Sequence, residues 1–477
     1  MERARAGKSR WGASRTVRAF TGALPHPNAA GAGLRQRSSA VGLLLLALLA
    51  ALSGCGLSAA RTTATVALRP LPAAAHSAPL TPPVRADYRI ALANATIAHM
   101  TLDQELGQLF VVAYNGTDPG DPALADMIAT QGAGGIIIYG GMNIISIPQM
   151  HALTSAMQAL APIPLIIGAD EEGGGDEQLG NIFPPHLAAY EIAATGDPAV
   201  AAQQATTIAG QLTQLGINTN FAPIVDVETS DRIWTRSFGG DPQLVTQLGG
   251  AQVDAYQRNG IIATLKHFPG LGGANCNPHF CLPVVTSSRD YIEQHDFVPY
   301  RALLSHDPGM VMTTDLLMPA FDPVMPAELS QPIVTGILRD EIGYDGVVIT
   351  DALYMEGISA HWSMPEAGVL SIIAGNDMLE GLAGPDQMRV MVSALRDAVT
   401  SGRLTRARID QSVRRILLLK MQYGLFPLSL PRGQRRAGLA EVGVASPSAR
   451  SGASWADAGG ASPPVALVPD PRRLLTS

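Results

Sequence analysis

Short apolar runs alternate with longer amphipathic segments between about residues 88 and 426 of this chain. This alternation is typical of strands and helices that follow one another in a parallel sheet. Eight runs are predicted as strands, at residues 107–113, 135–139, 164–169, 219–225, 261–265, 310–314, 346–350 and 372–378. Eight strand–helix units predict an α/β fold, the (β/α)₈ or TIM barrel, in which functional side chains lie at the C-terminal ends of the strands.

The first 55 residues are predicted to be a signal peptide rather than part of the fold. A basic segment leads into an apolar run that starts at Val41 and is too short for a comfortable membrane span of about 20 residues. Its end, Leu52-Ser-Gly-Cys55, resembles a bacterial lipobox, in which the cysteine is lipidated. A single-pass anchor, or an ordinary signal with a chance cysteine, is the alternative. We expect an extracytoplasmic protein held to the membrane only by a lipid on Cys55, or secreted if the lipobox is not used.

Two further segments are predicted to lie outside the barrel. Residues 56–87 are rich in Ala, Thr, Pro and Ser and predict a flexible linker, and residues 427–477 have a similar low-complexity composition that predicts a disordered tail. The whole chain carries a charge of −7 while residues 1–40 carry +7, so the remainder carries −14. A net negative charge on the remainder of the chain does not favour binding of nucleic acid, which is itself negatively charged.

One stretch joins a predicted strand to several polar side chains. Residues 262–285 read IATLKHFPGLGGANCNPHFCLPVV, so that a buried strand ends at Lys266 and His267 and a loop follows. The loop carries a second imidazole, His279, 12 positions after the first. A later strand ends on Asp351 in ITDALYMEGI. Because barrel chemistry lies at strand ends, we expect these four side chains in one active site.

The KHFPG-x-G segment with its loop histidine, followed by a GVVITDAL-type strand, resembles the barrel domain of glycoside hydrolase family 3. The likeness is strongest to the single-domain β-N-acetylhexosaminidase branch, whose loop usually reads KHFPGHG and then D-S-H. This chain departs at Leu271 and Asn277. The resemblance implies a catalytic barrel over residues 88–426 that needs no cofactor or metal. It also implies a monomer that removes terminal β-linked N-acetylglucosamine from wall or chitin fragments.

By the same resemblance, Asp351 is the nucleophile and His279 is the acid that protonates the leaving oxygen. A helix-capping role is the alternative for Asp351. An imidazole titrates near pH 6.5 and suits proton transfer near neutrality, and a dyad carboxylate would favour its protonated form. Asn277 can supply a hydrogen bond but no charge, which predicts a less well activated His279. One hypothesis is that Asp315, where relatives usually have His, replaces the missing charge.

The resemblance further implies that four side chains bind the sugar, namely Asp170, Arg236, Lys266 and His267. Asp226 is expected to orient neighbouring groups in the pocket, or alternatively to be a structural carboxylate paired with an arginine. Asp377, in the Ala374-Gly-Asn-Asp-Met378 segment, is expected to be structural.

Cys276 and Cys281 flank His279 and can close a small disulfide ring in an oxidising compartment. Free thiols or a Cys/His metal site are the alternatives.

Three rival functions remain. Two of them, a β-glucosidase specificity and phosphorolysis, would still use Asp351 to cleave a glycosidic bond. The third is a sugar-binding lipoprotein that no longer catalyses the reaction. The binding protein is suggested by departures from the family pattern that cluster in the site, at Gly175, Gln178, Leu271, Asn277 and Asp315.

Overall fold

The protein is represented by a computed structural model that describes residues 86–229 and 235–426. The expected signal peptide with Cys55, the expected linker as far as residue 85 and the expected tail at residues 427–477 lie outside the described residues. The expected linker needs one correction at its end, because Ala86 and Asp87 already belong to the helix Ala86–Ala98.

Eight parallel strands close into a barrel in which each strand pairs with the next and the eighth pairs with the first. This confirms the predicted (β/α)₈ fold. The strands are β1 Phe110–Ala113, β2 Gly135–Ile137, β3 Ile166–Ala169, β4 Thr219–Asn220, β5 Ile262–Phe268, β6 Met310–Thr313, β7 Val347–Ala352 and β8 Met378–Ala383.

Helices follow most strands and cover the outside of the barrel. They are α1 Ala86–Ala98, α2 Leu102–Gln108, α3 Pro122–Ala125, α4 Gly140–Asn143, α5 Ile147–Leu160, α6 Ala189–Thr195, α7 Pro198–Gln214, α8 Pro242–Arg258, α9 Arg289–Gln294, α10 Phe297–Leu303, α11 Glu356–Ser359, α12 Met364–Ala374, α13 Gly384–Thr400 and α14 Arg406–Gln422. Shorter or wider helical turns are Asp126–Thr130, Leu304–His306, Ala327–Leu329 and Pro332–Glu341. Within the described ranges, none of the helices has the length and apolar character that a membrane crossing requires.

The predicted eighth strand at residues 372–378 is wrong. Its apolar start belongs to the end of α12, which stops at Gly375 in a conformation with φ of 127°. The strand begins only at Met378 and runs to Ala383. A buried helix and a buried strand both give continuous apolar runs, so hydrophobic pattern alone could not separate them.

The first and fourth strands are shorter than predicted. Residues 107 and 108 end helix α2, and only Thr219 and Asn220 form β4. Beyond β4 the chain still follows β5, because Val225 N–H donates to the carbonyl oxygen of Lys266 at 2.8 Å. This extension carries Asp226 to the position beside His267.

A buried cluster of charged side chains connects the N-terminal ends of β7 and β8 to the last helix, α14. Asp377 is fully buried and accepts hydrogen bonds from Arg339, from Ser412 at 2.8 Å and from Val348 N–H at 3.1 Å. Arg408 and Arg415 lie at 3.4 and 3.3 Å from Oδ1, the oxygen that Ser412 also binds. Burial alone would raise the pKa of Asp377, but the three guanidinium groups outweigh it and lower the pKa.

Asp377→Asn is expected to lower the free energy of unfolding by about 3 kcal/mol, because Arg339 and Arg408 lose their acidic partner while Arg415 keeps only Asp345. The pKa of Asp377 is lowered in the folded state, so its stabilising effect is present above the usual carboxyl pKa and disappears as the pH falls. The measurement is denaturant unfolding at pH 7. Asp386→Asn is the control, since Asp386 is a 94% exposed partner of Arg389. Equal losses in the two variants would contradict the structural role of Asp377.

Candidate active site

A cavity opens at the C-terminal ends of the strands and collects side chains from distant parts of the chain. The predicted site residues that line it are Asp170, Arg236, Lys266, His267, Cys276, Asn277, His279 and Asp351. Two predicted residues, Asp226 and Asp315, lie behind this lining and are fully buried. The barrel therefore brings together side chains as far as 181 positions apart in sequence, from Asp170 to Asp351.

Lys266 is the centre of a buried network of charges on one wall of the cavity. Its ammonium group donates to Asp170 Oδ1 at 2.7 Å and lies 2.6 Å from Glu172 Oε1. Arg236 donates to both oxygens of Glu172 at 2.9 Å and lies 3.1 Å from Asp176. Burial opposes all these charges, but Arg236 and Lys266 lower the pKa of Glu172 while Asp170 and Glu172 raise the pKa of Lys266. The network therefore stays ionised and holds Lys266 and Asp170 against the cavity.

Sequence reasoning assigned no role to Glu172 or Asp176. Glu172 stands two positions after Asp170 in the DEEGG segment, so its position beside a strand end was a usable indication. Asp176 gave no such indication, because its contact with Arg236 depends on how two long loops meet.

Asp226 orients His267. The carboxylate lies 2.7 Å from Nδ1 of the ring and accepts the backbone N–H of Leu271, also at 2.7 Å. Because a carboxylate only accepts, a ring proton is assigned to Nδ1, and Nε2 is the nitrogen left at the other end of the ring. The partner of Asp226 is thus an imidazole with backbone amides, rather than the arginine considered as an alternative.

Asp351 lies near the end of β7 with its side chain at the cavity. Thr314 donates to its Oδ2 at 3.1 Å, and Ala352 N–H donates to its Oδ1 at 2.8 Å. The next helix, α11, starts only at Glu356 and has Met355 at its N-cap. The alternative of a helix-capping Asp351 therefore has no support in the geometry.

The loop that carries His279 is closed by a disulfide between Cys276 and Cys281. Both described cysteines are thereby used, which removes the free-thiol and Cys/His metal alternatives for this pair. His279 is exposed at the rim of the cavity. Asn277 Oδ1 accepts the backbone N–H of His279 at 2.9 Å, so the amide oxygen fixes the turn rather than the imidazole ring.

The structure does not support the hypothesis that Asp315 supplies charge to His279. Asp315 is buried at the end of β6, and Glu328, which is also fully buried, is its nearest titratable neighbour by electrostatic effect. Burial and the neighbouring carboxyl groups, Asp351 included, raise the pKa of both residues well above the usual range. A pair kept protonated in this way has no negative charge to offer an imidazole.

Glu380 is a cavity residue that sequence reasoning missed. It lies on β8, is only 3% exposed, and accepts a hydrogen bond from the hydroxyl of Tyr139 at 3.3 Å. Burial, with the nearby charges of Asp170 and Asp351, raises the pKa of Glu380 to about 8. The wrong position of the eighth strand hid this residue, because the predicted strand ended two positions before it.

The family model described as the glycosyl hydrolase family 3 N-terminal domain matches residues 101–419. The protein named beta-hexosaminidase A of Pseudoalteromonas piscicida is 31% identical over an alignment of 418 positions that covers 76% of this chain and 67% of that protein. An uncharacterized secreted glycosyl hydrolase of Arthroderma benhamiae is 30% identical over an alignment of 344 positions that covers 70% of this chain and 97% of that protein.

A solved structure agrees with these relatives. The glycoside hydrolase family 3 β-N-acetylglucosaminidase of a Paenibacillus species superposes with a TM-score of 0.66 at 35% identity. The match covers 70% of this chain and 65% of that enzyme, so this chain spans about two thirds of the Paenibacillus protein. Since the family model matches more than half of the chain and the solved structure shares its barrel, the chain belongs to glycosyl hydrolase family 3.

Proposed function

We propose that this protein is a retaining glycosidase that removes terminal β-linked N-acetylglucosamine, or a related β-sugar, through a covalent bond to Asp351. The observation that carries the proposal is the placement of Asp351. Its carboxylate faces the cavity, and a hydroxyl and a backbone N–H each bind one of its oxygens. A carboxylate fixed in this way at a strand end of a barrel suits nucleophilic attack on an anomeric carbon.

The first step breaks the bond between the anomeric carbon and the leaving oxygen. Asp351 forms the new bond to that carbon, and His279 gives its proton to the departing oxygen. In the second step, water attacks the anomeric carbon, His279 takes a proton from the water, and the Asp351 carboxylate is released. Two inversions at one carbon leave the configuration of the sugar unchanged.

The polar wall of the cavity would bind and orient the sugar. Lys266 and Asp170 form an ion pair whose remaining donors and acceptors suit sugar hydroxyls. His267 has its Nδ1 held by Asp226, so Nε2 is left for the substrate. Arg236 is held by Glu172 and Asp176 and is partly exposed at the cavity. Such a preorganised set lowers the barrier by holding the reacting carbon near Asp351.

The acetamido preference is supported by names of relatives, the beta-hexosaminidase of P. piscicida and the β-N-acetylglucosaminidase of Paenibacillus. An extracytoplasmic location is supported by the A. benhamiae relative, which is named as a secreted protein, and by the apolar segment before Cys55. Lipid attachment at Cys55 and a monomeric state complete the proposal.

A sugar-binding protein without catalysis is the second candidate. It is favoured by one observation, which is that Asn277 binds the backbone of the His279 loop and brings no charge to the ring. Asp315 and Glu328 do not replace that charge. Binding without turnover is what this candidate predicts.

The test is hydrolysis of a chromogenic β-N-acetylglucosaminide by the purified chain, with the anomeric configuration of the first product read by NMR. We expect turnover with a β product. Parallel assays with a β-glucoside, and with added inorganic phosphate, distinguish a different sugar preference and phosphorolysis. No turnover in any assay, together with measurable binding of N-acetylglucosamine, would favour the binding protein.

A further inference from the structure

The proposed mechanism assigns no role to Glu380, a buried carboxyl group that lines the cavity. Glu380 on β8 lines the same cavity as Asp351, and its backbone N–H donates to Thr350 Oγ1 at 3.0 Å. One carboxyl oxygen accepts the hydroxyl of Tyr139. Thr350 therefore fixes the backbone at Glu380 and Tyr139 fixes its side chain, which lines the cavity.

The groups around Glu380 are mainly acidic. Asp170 reaches it from the end of β3 and Asp351 from β7, with the buried pair Asp315 and Glu328 also within electrostatic range. Tyr139 and Tyr354 are its neutral titratable neighbours, since burial raises the pKa of each hydroxyl.

The nearby cations are already engaged by other acids. Lys266 is bound by Asp170 and Glu172, and Arg236 is bound by Glu172 and Asp176. No ion pair within residues 86–229 and 235–426 joins Glu380 to a cation. Of the five carboxyl groups that line the cavity, Glu172 and Asp176 are paired with Arg236. The other three, Asp170, Asp351 and Glu380, resist full ionisation together, and the most buried, Glu380, is the one that keeps its proton.

We propose that Glu380 is a specificity-determining residue that contacts the bound sugar as a neutral carboxylic acid and donates a hydrogen bond from its O–H to a sugar oxygen. The proposal rests on the function proposed above, because it assigns a donor to the same cavity. Tyr139 orients the group by donating to its other oxygen. A neutral donor suits an uncharged sugar, whereas an ionised Glu380 would be an acceptor only and would lose this contact.

The raised pKa gives the sign of the pH dependence. Glu380 is protonated and able to donate below about pH 8, and the donor is lost as the pH rises through that value. A dinitrophenyl β-N-acetylglucosaminide, whose leaving group needs no proton from His279, isolates this donor, and its wild-type kcat/KM is therefore expected to fall above about pH 8.

Two substitutions test whether Glu380 donates a hydrogen bond to the sugar or has only a structural role. Glu380→Gln keeps an N–H donor at every pH, so its kcat/KM is expected to remain level at least one pH unit beyond the wild-type decline. Glu380→Leu removes the donor and leaves Tyr139 without an acceptor, and we expect a loss of about 10-fold to 100-fold at pH 6. Asp315→Asn is the matched control, since it removes another buried carboxyl near Asp351 that does not line the cavity, and it should keep the decline near pH 8.

The result that overturns the proposal is a Glu380→Gln profile that declines at the same pH as the wild type. A wild-type preference for a β-glucosaminide with a free amino group, lost in Glu380→Gln, would also overturn it, because Glu380 would then act as a carboxylate. Only Glu380→Gln has to fold for these outcomes. If no variant turns over any substrate, the proposed function fails separately, and the same pH comparison is made on the calorimetric affinity for N-acetylglucosamine. Equal pH dependence there, or no binding at any pH, overturns the role of Glu380.

Discussion

Asp351→Asn is expected to lower kcat/KM by about 10⁴-fold, the largest effect of any single substitution in the cavity. An amide has the shape of the carboxylate and can keep the hydrogen bond from Ala352 N–H, but it is a poor nucleophile. The loss should therefore appear in kcat rather than as a large rise in KM. Steady-state kinetics with the chromogenic β-N-acetylglucosaminide measures both.

The matched control is Asp345→Asn. Asp345 lies two positions before β7, is 90% exposed and is bound by Arg415 on the surface. Its replacement changes the charge of the chain by the same amount, far from the cavity, and should leave kcat within a factor of two of the wild-type value, or about 0.4 kcal/mol. A similar loss in both variants would assign the effect to folding or net charge.

Covalent trapping distinguishes a nucleophile from a carboxylate that only stabilises charge. A 2-deoxy-2-fluoro glycoside slows the second step more than the first, so the sugar should remain on the peptide that contains Asp351, as detected by mass spectrometry. In Asp351→Gly, added azide should restore turnover and give a glycosyl azide of inverted configuration. Label on another residue, or turnover of Asp351→Asn above about 1% of wild type, would contradict the assigned role.

The sequence predicted those parts of the site that depend on strand ends. Lys266, His267 and Asp351 follow buried apolar runs directly, and in a parallel barrel such positions meet at one end. Nothing more than the local pattern was needed to bring these residues together, which is why two strands that are far apart in sequence, β5 and β7, were assigned to one cavity.

The parts that sequence reasoning missed depend on contacts between distant segments. The ion pairs of Arg236 with Glu172 and Asp176 join two loops, and no local pattern encodes their approach. Glu380 was hidden because an apolar helix end and an apolar strand look alike before packing separates them. The bond from His279 N–H to Asn277 was unforeseen because an Asx side chain can bind either the ring or the nearby backbone, and the turn decides between them.

His279→Ala is expected to lower kcat by about 10³-fold for substrates with a poor leaving group and much less for a dinitrophenyl glycoside. A leaving group that departs as a stable anion needs no proton, so only the poor leaving groups report on the acid. Rates for a series of aryl β-N-acetylglucosaminides measure this dependence. Phe280→Ala is the control, since Phe280 lies beside His279 in the same disulfide ring, is 74% exposed and cannot transfer a proton.

Asn277→Asp tests the role of His279 as the acid by a change that should raise activity rather than lower it. The new carboxylate can still accept His279 N–H, and its negative charge close to the ring should favour the protonated imidazole. Turnover of poor leaving groups should therefore rise by about 10-fold and persist to higher pH, provided that His279 is the acid. The double variant with His279→Ala should lose this gain, because the added charge has no ring to act on. If Asn277→Asp and the double variant respond alike, or if His279→Ala spares poor leaving groups, the proton comes from another group of the cavity.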